Sequence, residues 1–231
     1  MASPELNLNL LDAAGLMPDR PTKRLGRHRT LLLWLTALVW LAVIGLCLAM
    51  IERYTATPGD GGDAPIRWPA QSFIPLDPGR PTLVLFAHPR CPCTRATIGE
   101  LALLMASVPG RLNAQVWFLQ PENTGADWTN TDLWSSAAAI PGVTVRADSD
   151  GREAARFHAA TSGQALLYGT DGHLLFTGGI TIARGHSGDN PGRSAIADLV
   201  MDQPTQTIQT PVFGCSLFNS QCQTRGPAWK P

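Results

Sequence analysis

The chain has 231 residues, 44% of them hydrophobic, and carries 18 basic and 18 acidic side chains. That length allows one ordinary domain plus additional segments, and the apolar content is sufficient for a packed core. A balanced charge is unfavourable for a nucleic-acid-binding protein, which needs a basic surface to offset phosphate charge. We therefore expect no nucleic-acid partner.

An uncharged run of 21 residues, from Leu31 to Ile51, predicts a transmembrane helix. At ~1.5 Å rise per residue, such a helix just spans a bilayer core of ~30 Å. A signal peptide is the alternative, but its apolar region is usually ~7–15 residues and ends at a small-residue cleavage site. Here Glu52 follows the run directly, which favours a membrane anchor.

Basic residues cluster before this run, whereas only Arg53 follows it closely. The cluster consists of Arg20, Lys23, Arg24, Arg27 and Arg29. Positive charge stays in the cytoplasm, so the pattern predicts a single-pass protein with a cytoplasmic N-terminus. In a bacterium the protein would lie in the inner membrane with its main domain in the periplasm, where thiols tend to be oxidised.

The chain divides by pattern into five parts. They are a cytoplasmic basic tail (1–30), the transmembrane helix (31–51), a tether (52–65), a folded domain (66–202) and a cysteine-containing tail (203–231). In the domain, strands are predicted at 81–88, 114–119, 143–147, 165–168 and 174–177, and helices at 94–107, 131–140, 150–160 and 194–201. The order βαβαβαββα predicts an α/β fold, with a mixed central sheet flanked by helices.

Two segments resemble the membrane-anchored TlpA/ResA-like proteins of the thioredoxin-like superfamily. They are FAHPRCPCTRATIGEL, residues 86–101, and DGREAARFHAATSGQALLYGTDG, residues 150–172. The Cys-Pro-Cys form and a later Phe-Gly-Cys motif look like the RedB-type thioredoxin-like proteins. The resemblance implies a thioredoxin-like fold over residues 66–202.

The chain departs from that family's pattern at two positions. The usual C-x-x-C pair is replaced by Cys91 and Cys93, and Thr94 stands where the second cysteine is expected. Gly163 takes the place of the family's cis-proline. Because only proline makes a cis bond inexpensive, we expect a trans bond before Gly163 and a wider opening beside the thiols.

Cys91 and Cys93 are the predicted catalytic residues of a membrane-anchored, extracytoplasmic thiol–disulfide oxidoreductase. They lie where a buried strand ends and a helix begins, and unpaired N–H groups there stabilise a thiolate. Cys91 would attack and Cys93 would resolve the mixed disulfide. The expected partners are thiols and disulfides of periplasmic or membrane proteins, and no cofactor is expected.

Two other functions stay open. Two thiolates one residue apart, those of Cys91 and Cys93, are soft ligands that suit Cu(I). His88, Cys215 or His186 would complete such a copper site. A periplasmic copper-binding or metallochaperone-like protein is therefore one alternative. A thioredoxin-like interaction domain without chemistry is the other, because a fold alone does not define an activity.

Further residues are predicted to surround the thiols. The expected substrate-binding residues are His88, Arg90, Gly163, Gln164 and His186. His186 belongs to a polar, glycine-rich loop at residues 179–193, which the hairpin should return to the thiols. Cys215 either pairs with Cys222 in the tail or reaches the site as a third thiol, because spacing does not decide connectivity.

Overall fold

The computed structural model describes residues 26–218, except for the side chain of Ala126, and every structural statement below refers to that range. Within that range the chain divides into two units, with the boundary between Leu48 and Ala49. Helix α1, Arg27–Ala56, contains the predicted apolar span and buries none of its residues. Its length and its mean hydropathy of 2.6 are sufficient to cross a membrane, although a signal sequence near an N-terminus passes the same test.

The second unit contains a five-stranded sheet flanked by helices. The strands are β1 Thr82–Ala87, β2 Asn113–Gln120, β3 Val143–Ser149, β4 Gln164–Tyr168 and β5 Leu174–Gly179. The helices are α2 Pro92–Ser107, α3 Asp132–Ala138, α4 Arg152–Arg156 and α5 Pro191–Val200, with a short 3₁₀ turn at Ala126–Trp128. This order confirms the predicted one. The structure moves most boundaries by one to three residues, and the end of α4 by four.

The spatial order of the sheet is β3-β2-β1-β4-β5. Strands β1, β2 and β3 run parallel, whereas β4 is antiparallel to both β1 and β5. Helices cover the parallel part because a parallel connection must cross over the sheet. The arrangement confirms the predicted thioredoxin-like fold.

Strand β1 lies at the centre of the sheet, and all six of its residues are buried. Because successive side chains point to opposite faces, Leu83 and Leu85 enter one apolar cluster, whereas Val84 and Phe86 enter another. Each fully buried side chain of this size contributes roughly 1.5–3 kcal/mol. Burial on both faces holds the end of β1 firmly, and the cysteines follow directly after it.

The segment predicted as a tether contacts the domain closely. The Gly59 N–H donates to the Val212 carbonyl oxygen at 2.8 Å, and the Tyr168 hydroxyl donates to the Pro65 carbonyl oxygen at 2.9 Å. Trp68 packs edge-on against Phe157 with ring centroids 5.1 Å apart. Residues 59–68 therefore belong to the packed structure of the second unit.

Candidate active site

Cys91 caps the start of α2, with Pro92 in the first helical position and Cys93 in the first turn. Proline suits that position because its missing N–H would have no helical partner and its fixed φ matches a helix. The helix therefore starts two residues earlier than predicted. The positive end of its dipole lies at Cys91, where it favours a thiolate.

The sulfur of Cys91 lies 2.8 Å from the sulfur of Cys215. Hydrogen bonds from Cys215 and, to a lesser extent, from Cys93 hold the pKa of Cys91 far below its usual value, against the opposing effect of burial. Three sulfurs therefore meet at the start of α2. The thiolate of Cys91 is stabilised mainly by a residue 124 positions further along the chain.

Cys93 has the opposite electrostatic environment. Its hydrogen bond to Cys91, its burial and the negative charge of Cys91 all raise the pKa of Cys93. The Arg184 guanidinium, which lies within hydrogen-bonding reach of this thiol, partly offsets that rise. Cys93 therefore keeps its proton and donates a hydrogen bond to the Cys91 thiolate, and neither residue is part of a disulfide in the structure.

The C-terminal segment, residues 212–217, reaches the site by pairing with the loop before β4. The Ser162 N–H donates to the Cys215 carbonyl oxygen, and the Leu217 N–H donates to the Ala160 carbonyl oxygen, each at 2.8 Å. Phe213 and Leu217, which flank the cysteine, are 9% and 1% exposed. Backbone bonds and buried apolar side chains thus set the position of Cys215 from both sides.

Gly214 explains the Phe-Gly-Cys motif. A Cβ atom at this residue would lie 1.9 Å from the Ser162 carbonyl oxygen, far inside any permitted contact. Only glycine allows the C-terminal segment to approach the loop this closely. The motif is therefore a requirement of the close backbone approach that presents Cys215.

A buried polar network joins the same loop to the start of α2. The Ser162 hydroxyl accepts a hydrogen bond from the His88 N–H at 2.8 Å and lies 2.9 Å from the Thr94 hydroxyl. Buried polar groups need such partners because leaving one unpaired costs ~1–3 kcal/mol. Ser162 was not predicted, since a lone serine in a loop carries no sequence signal for this role.

His88 is only 4% exposed, and its Nδ1 accepts a hydrogen bond from the Arg90 N–H at 3.1 Å. Its ring lies under the surface beside Trp128, and its role in substrate binding stays a prediction. Arg90 is exposed, and its guanidinium stacks 4.0 Å from the centroid of Trp128. Its role as a substrate contact stays a prediction.

Gly163 lies in a closely packed place between α2 and the C-terminal segment. The chain contains no cis peptide bond in the described range, which confirms the trans bond expected before Gly163. However, a Cβ at Gly163 would lie 3.1 Å from the Thr97 hydroxyl and 3.8 Å from the Phe213 carbonyl oxygen. The opening predicted there is therefore occupied by α2 and the C-terminal segment, and a substrate has no access to it.

Gln164 is fully buried, and its amide side chain bonds to the backbone of Ala160 and Gly61. Both ends of its amide therefore have internal partners, and its role as a substrate contact stays a prediction. His186 is exposed, and its Nδ1 lies 3.0 Å from the Arg184 carbonyl oxygen. Its binding role stays a prediction.

The polar loop approaches the thiols through Arg184 rather than through the predicted His186. The Arg184 guanidinium donates to the Gly214 carbonyl oxygen and, at 3.2 Å, to the Thr57 carbonyl oxygen. It thereby connects the tail, the segment before the domain and Cys93. Polarity of the loop was the sequence signal that pointed to this region.

The same loop is held to α2 by a buried carboxylate. Glu100 is fully buried, forms an ion pair with Arg193 and accepts hydrogen bonds from the Gly188 N–H and the Asn190 amide. A buried charge is tolerated only when it is paired in this way. Glu100 therefore sets the path of the segment that carries Arg184.

No group of three or more His, Cys, Asp or Glu side chains with metal-binding geometry is found in residues 26–218. The copper site composed of Cys91, Cys93 and His88 stays a prediction from the sequence. Cys222 lies outside the described residues, and so does any pairing between it and Cys215.

The sequence matches no family model and no curated protein. An uncharacterized conserved protein from Geobacillus kaustophilus has a similar structure, with 15% identity, a TM-score of 0.52, and coverage of 70% of this chain and 92% of that one. A hypothetical protein from Sinorhizobium meliloti 1021 has 19% identity and a TM-score of 0.49, with coverages of 70% and 93%.

A secreted Mycobacterium tuberculosis disulfide oxidoreductase homologous to E. coli DsbE aligns over 54% of this chain and 82% of its own, with 17% identity and a TM-score of 0.39. At these identities the likeness describes the fold and nothing more. The chain therefore contains a domain with a thioredoxin-like fold, in which three cysteine sulfurs meet at the start of α2.

Proposed function

We propose that this protein is a thiol–disulfide oxidoreductase in which Cys91 carries the exchange chemistry. The observation that supports this most directly is the position of Cys91 at the N-terminus of α2, where two further thiols stabilise its charge. The thiolate is the reactive form of cysteine in disulfide exchange. A buried cysteine with a purely structural role would have no need of this environment.

The chemistry is two successive exchanges. The Cys91 thiolate attacks one sulfur of a partner disulfide, which forms a mixed disulfide and releases one partner thiolate. A second thiol of the chain then attacks the Cys91 sulfur and releases the other partner thiolate. The partner gains two electrons and the chain is left with a disulfide; in the opposite direction that disulfide accepts two electrons from a partner dithiol.

We further propose that α1 anchors the domain on the periplasmic side of a bacterial inner membrane, close to thiols of periplasmic or membrane proteins. The basic cluster before Leu31 supports this orientation. A reporter that is active only outside the cytoplasm, fused after Arg53, should be active. Mass determination of the mature protein distinguishes an anchor from a signal peptide, because a cleaved signal would remove the apolar run.

The exchange function is tested on the full-length chain in detergent with glutathione disulfide as the oxidant. Wild type and Cys47→Ser should exchange at the same rate, because Cys47 lies in the apolar helix. Cys91→Ser should fall to the uncatalysed rate. An equal rate in wild type and Cys91→Ser would refute the proposal.

The same preparation separates the two alternatives. Stoichiometric Cu(I) that is lost in Cys91→Ser, together with no exchange, would favour the copper-binding function. If the protein neither catalyses exchange nor retains copper, the result would favour an interaction domain without chemistry. Exchange that depends on Cys91, with no retained copper, supports the oxidoreductase.

A further inference from the structure

Two sulfurs are candidates to pair with Cys91, and they belong to different parts of the fold. Cys93 is two residues away on α2, and Cys215 is carried by the C-terminal segment. We propose that Cys91 and Cys215 form the redox-active disulfide, and that Cys215 is the sulfur at which a dithiol substrate exchanges. This inference rests on the proposed oxidoreductase function and names the residues of its electron transfer.

The positions of the two segments favour this pair. The sulfurs of Cys91 and Cys215 are 2.8 Å apart, and a disulfide bond needs about 2.05 Å. Closing the bond therefore requires a movement of less than roughly 1 Å. The backbone bonds at Ser162 and Leu217 already hold the C-terminal segment in place on either side of Cys215.

A disulfide between Cys91 and Cys93 would require a change in the backbone conformation at the start of α2. It would close a ring of only three residues around Pro92, whose φ is fixed by its own ring. It would also have to form while the Thr94 N–H remains bonded to the Cys91 carbonyl oxygen at 3.0 Å. The first turn of α2 would have to change conformation, whereas the C-terminal segment needs only a small shift.

Accessibility identifies the sulfur that meets the substrate. Cys91 is 1% exposed, whereas Cys215 is partly exposed. An incoming thiolate therefore reaches Cys215 before it reaches Cys91. Cys91 is the better leaving group of the bridge, because the Cys93 hydrogen bond and the N-terminus of α2 lower its pKa, and a thiol of lower pKa leaves faster.

The exchange then runs as follows. A substrate thiolate attacks the Cys215 sulfur, the bond between Cys215 and Cys91 breaks, and Cys91 leaves as a thiolate. The second substrate thiolate attacks the substrate sulfur of the mixed disulfide and releases Cys215. The substrate dithiol loses two electrons to the protein, and its two protons pass to Cys215 and to solvent. A low-molecular-weight disulfide restores the oxidised pair.

Cys93 has a different part in this arrangement. It is the protonated neighbour that donates a hydrogen bond to the Cys91 thiolate, and it is therefore a positioning residue. Cys93→Ser keeps a donor at this place and should retain the two-electron chemistry. Cys215→Ser keeps the shape of the C-terminal segment but removes the second redox sulfur.

The pair is identified by disulfide mapping of the full-length chain in detergent, equilibrated in glutathione buffers of stepped ratio and then alkylated. Trypsin cleaves after Arg90, Arg95, Arg193 and Arg225, which places Cys91 and Cys93 in one peptide and Cys215 and Cys222 in another. Cys93→Ser and Cys222→Ser variants, singly and combined, make the assignment unambiguous.

We expect a link between the two peptides in wild type and in the combined variant, and no such link in Cys215→Ser. Resolution of a glutathione adduct on Cys91 should be at least tenfold slower in Cys215→Ser than in Cys93→Ser. When the oxidised combined variant is briefly exposed to glutathione and quenched in acid, the adduct should lie on the Cys215 peptide.

Three other results would contradict either this inference or the proposed function. A bridge within the peptide of residues 91–95, or between Cys215 and Cys222, would overturn the inference while Cys91-dependent exchange stands. An adduct found first on Cys91 would overturn the role of Cys215 as the entry sulfur. No disulfide or adduct at Cys91 in any buffer would instead remove the proposed function itself.

Discussion

Two regions of the domain bring a thiol to Cys91, and they do so by different means. The start of α2 supplies Cys93 through the local geometry of a proline-initiated helix. The C-terminal segment supplies Cys215 through contacts with a loop more than 50 residues earlier in the chain. Because both regions place a thiol beside Cys91, the spacing of Cys91 and Cys93 does not by itself identify which sulfurs exchange electrons.

The two regions are also held in place by different forces. On the helix side, the buried Glu100 carboxylate joins α2 to the polar loop, and the Thr94 and Ser162 hydroxyls join it to the loop before β4. On the tail side, backbone hydrogen bonds and the buried Leu217 hold the C-terminal segment against the loop before β4. Gly214 permits this close approach because it has no side chain. Substitutions that remove the contacts on the helix side should therefore have different effects from those that remove the contacts on the tail side.

The largest effect on stability should follow Arg193→Met, which leaves the fully buried Glu100 carboxylate without its ion pair. Breaking a buried pair from one side costs about 3–5 kcal/mol. Urea unfolding followed by tryptophan fluorescence measures the change. The control is Arg95→Met, because both partners of the Arg95–Asp132 pair are 65% exposed, and this substitution should cost less than about 1 kcal/mol. Equal costs would show that the loop is not anchored by Glu100.

Gly214→Ala should act on the tail side alone. Its Cβ would overlap the Ser162 carbonyl oxygen, so the C-terminal segment should separate from the loop at a cost of about 1–3 kcal/mol. Hydrogen exchange at the Ser162 and Leu217 amides should become faster, while exchange in α2 stays unchanged. Gly125→Ala is the matched control, because no atom lies within 4 Å of the added Cβ. Unchanged exchange at both amides would contradict the docked position of the segment.

The pKa of Cys91 depends on hydrogen bonds from both regions, so substitutions at Cys215 and Cys93 measure the contribution of each region. Cys215→Ala should raise it more than Cys93→Ala, because the hydrogen bond from Cys215 is the larger cause of its low value. Ultraviolet thiolate absorbance, taken relative to Cys91→Ser, gives both pKa values. The reverse order would make Cys93 the main partner of the thiolate.

The same low pKa links stability to pH. The pKa of Cys91 in the folded protein lies below the unfolded value of about 8.5, so the thiolate stabilises the fold at high pH. This stabilisation is fully present above the unfolded pKa and is lost as the pH falls through the folded pKa. The stability advantage of wild type over Cys91→Ser should therefore grow as the pH rises towards the unfolded pKa of about 8.5, with no further gain from Cys91 above it.

The smallest effect is expected for Arg184→Gln, which removes a positive charge next to Cys93 and a donor to the Gly214 carbonyl oxygen. The pKa of Cys93 should rise further, and docking of the tail should weaken by about 0.5–1.5 kcal/mol. Alkylation of Cys93 at alkaline pH measures the first change. Arg90→Gln is the control, because Arg90 stacks on Trp128 instead; an equal effect of both would contradict a specific role for Arg184.

Much of the fold could be predicted because its signals are local. Apolar runs and their period indicated all five strands in their correct order, and the strand-to-helix junction indicated an activated Cys91. The burial of His88 and Gln164 could not be predicted in this way. Both are polar residues close in sequence to the site, and a linear pattern does not reveal that their side chains are directed inward to internal partners.

The sequence by itself determined the apolar span, the α/β element order and the placement of Cys91-Pro92-Cys93 at a helix start, because each depends on residues near one another in the chain. Only the tertiary structure decided that Cys215 lies against Cys91, that Arg184 is the loop residue beside Cys93, and that Ser162 joins the two regions. Those contacts depend on how separate segments pack beyond the end of the central strand β1, and packing of this kind leaves no periodic pattern in the sequence.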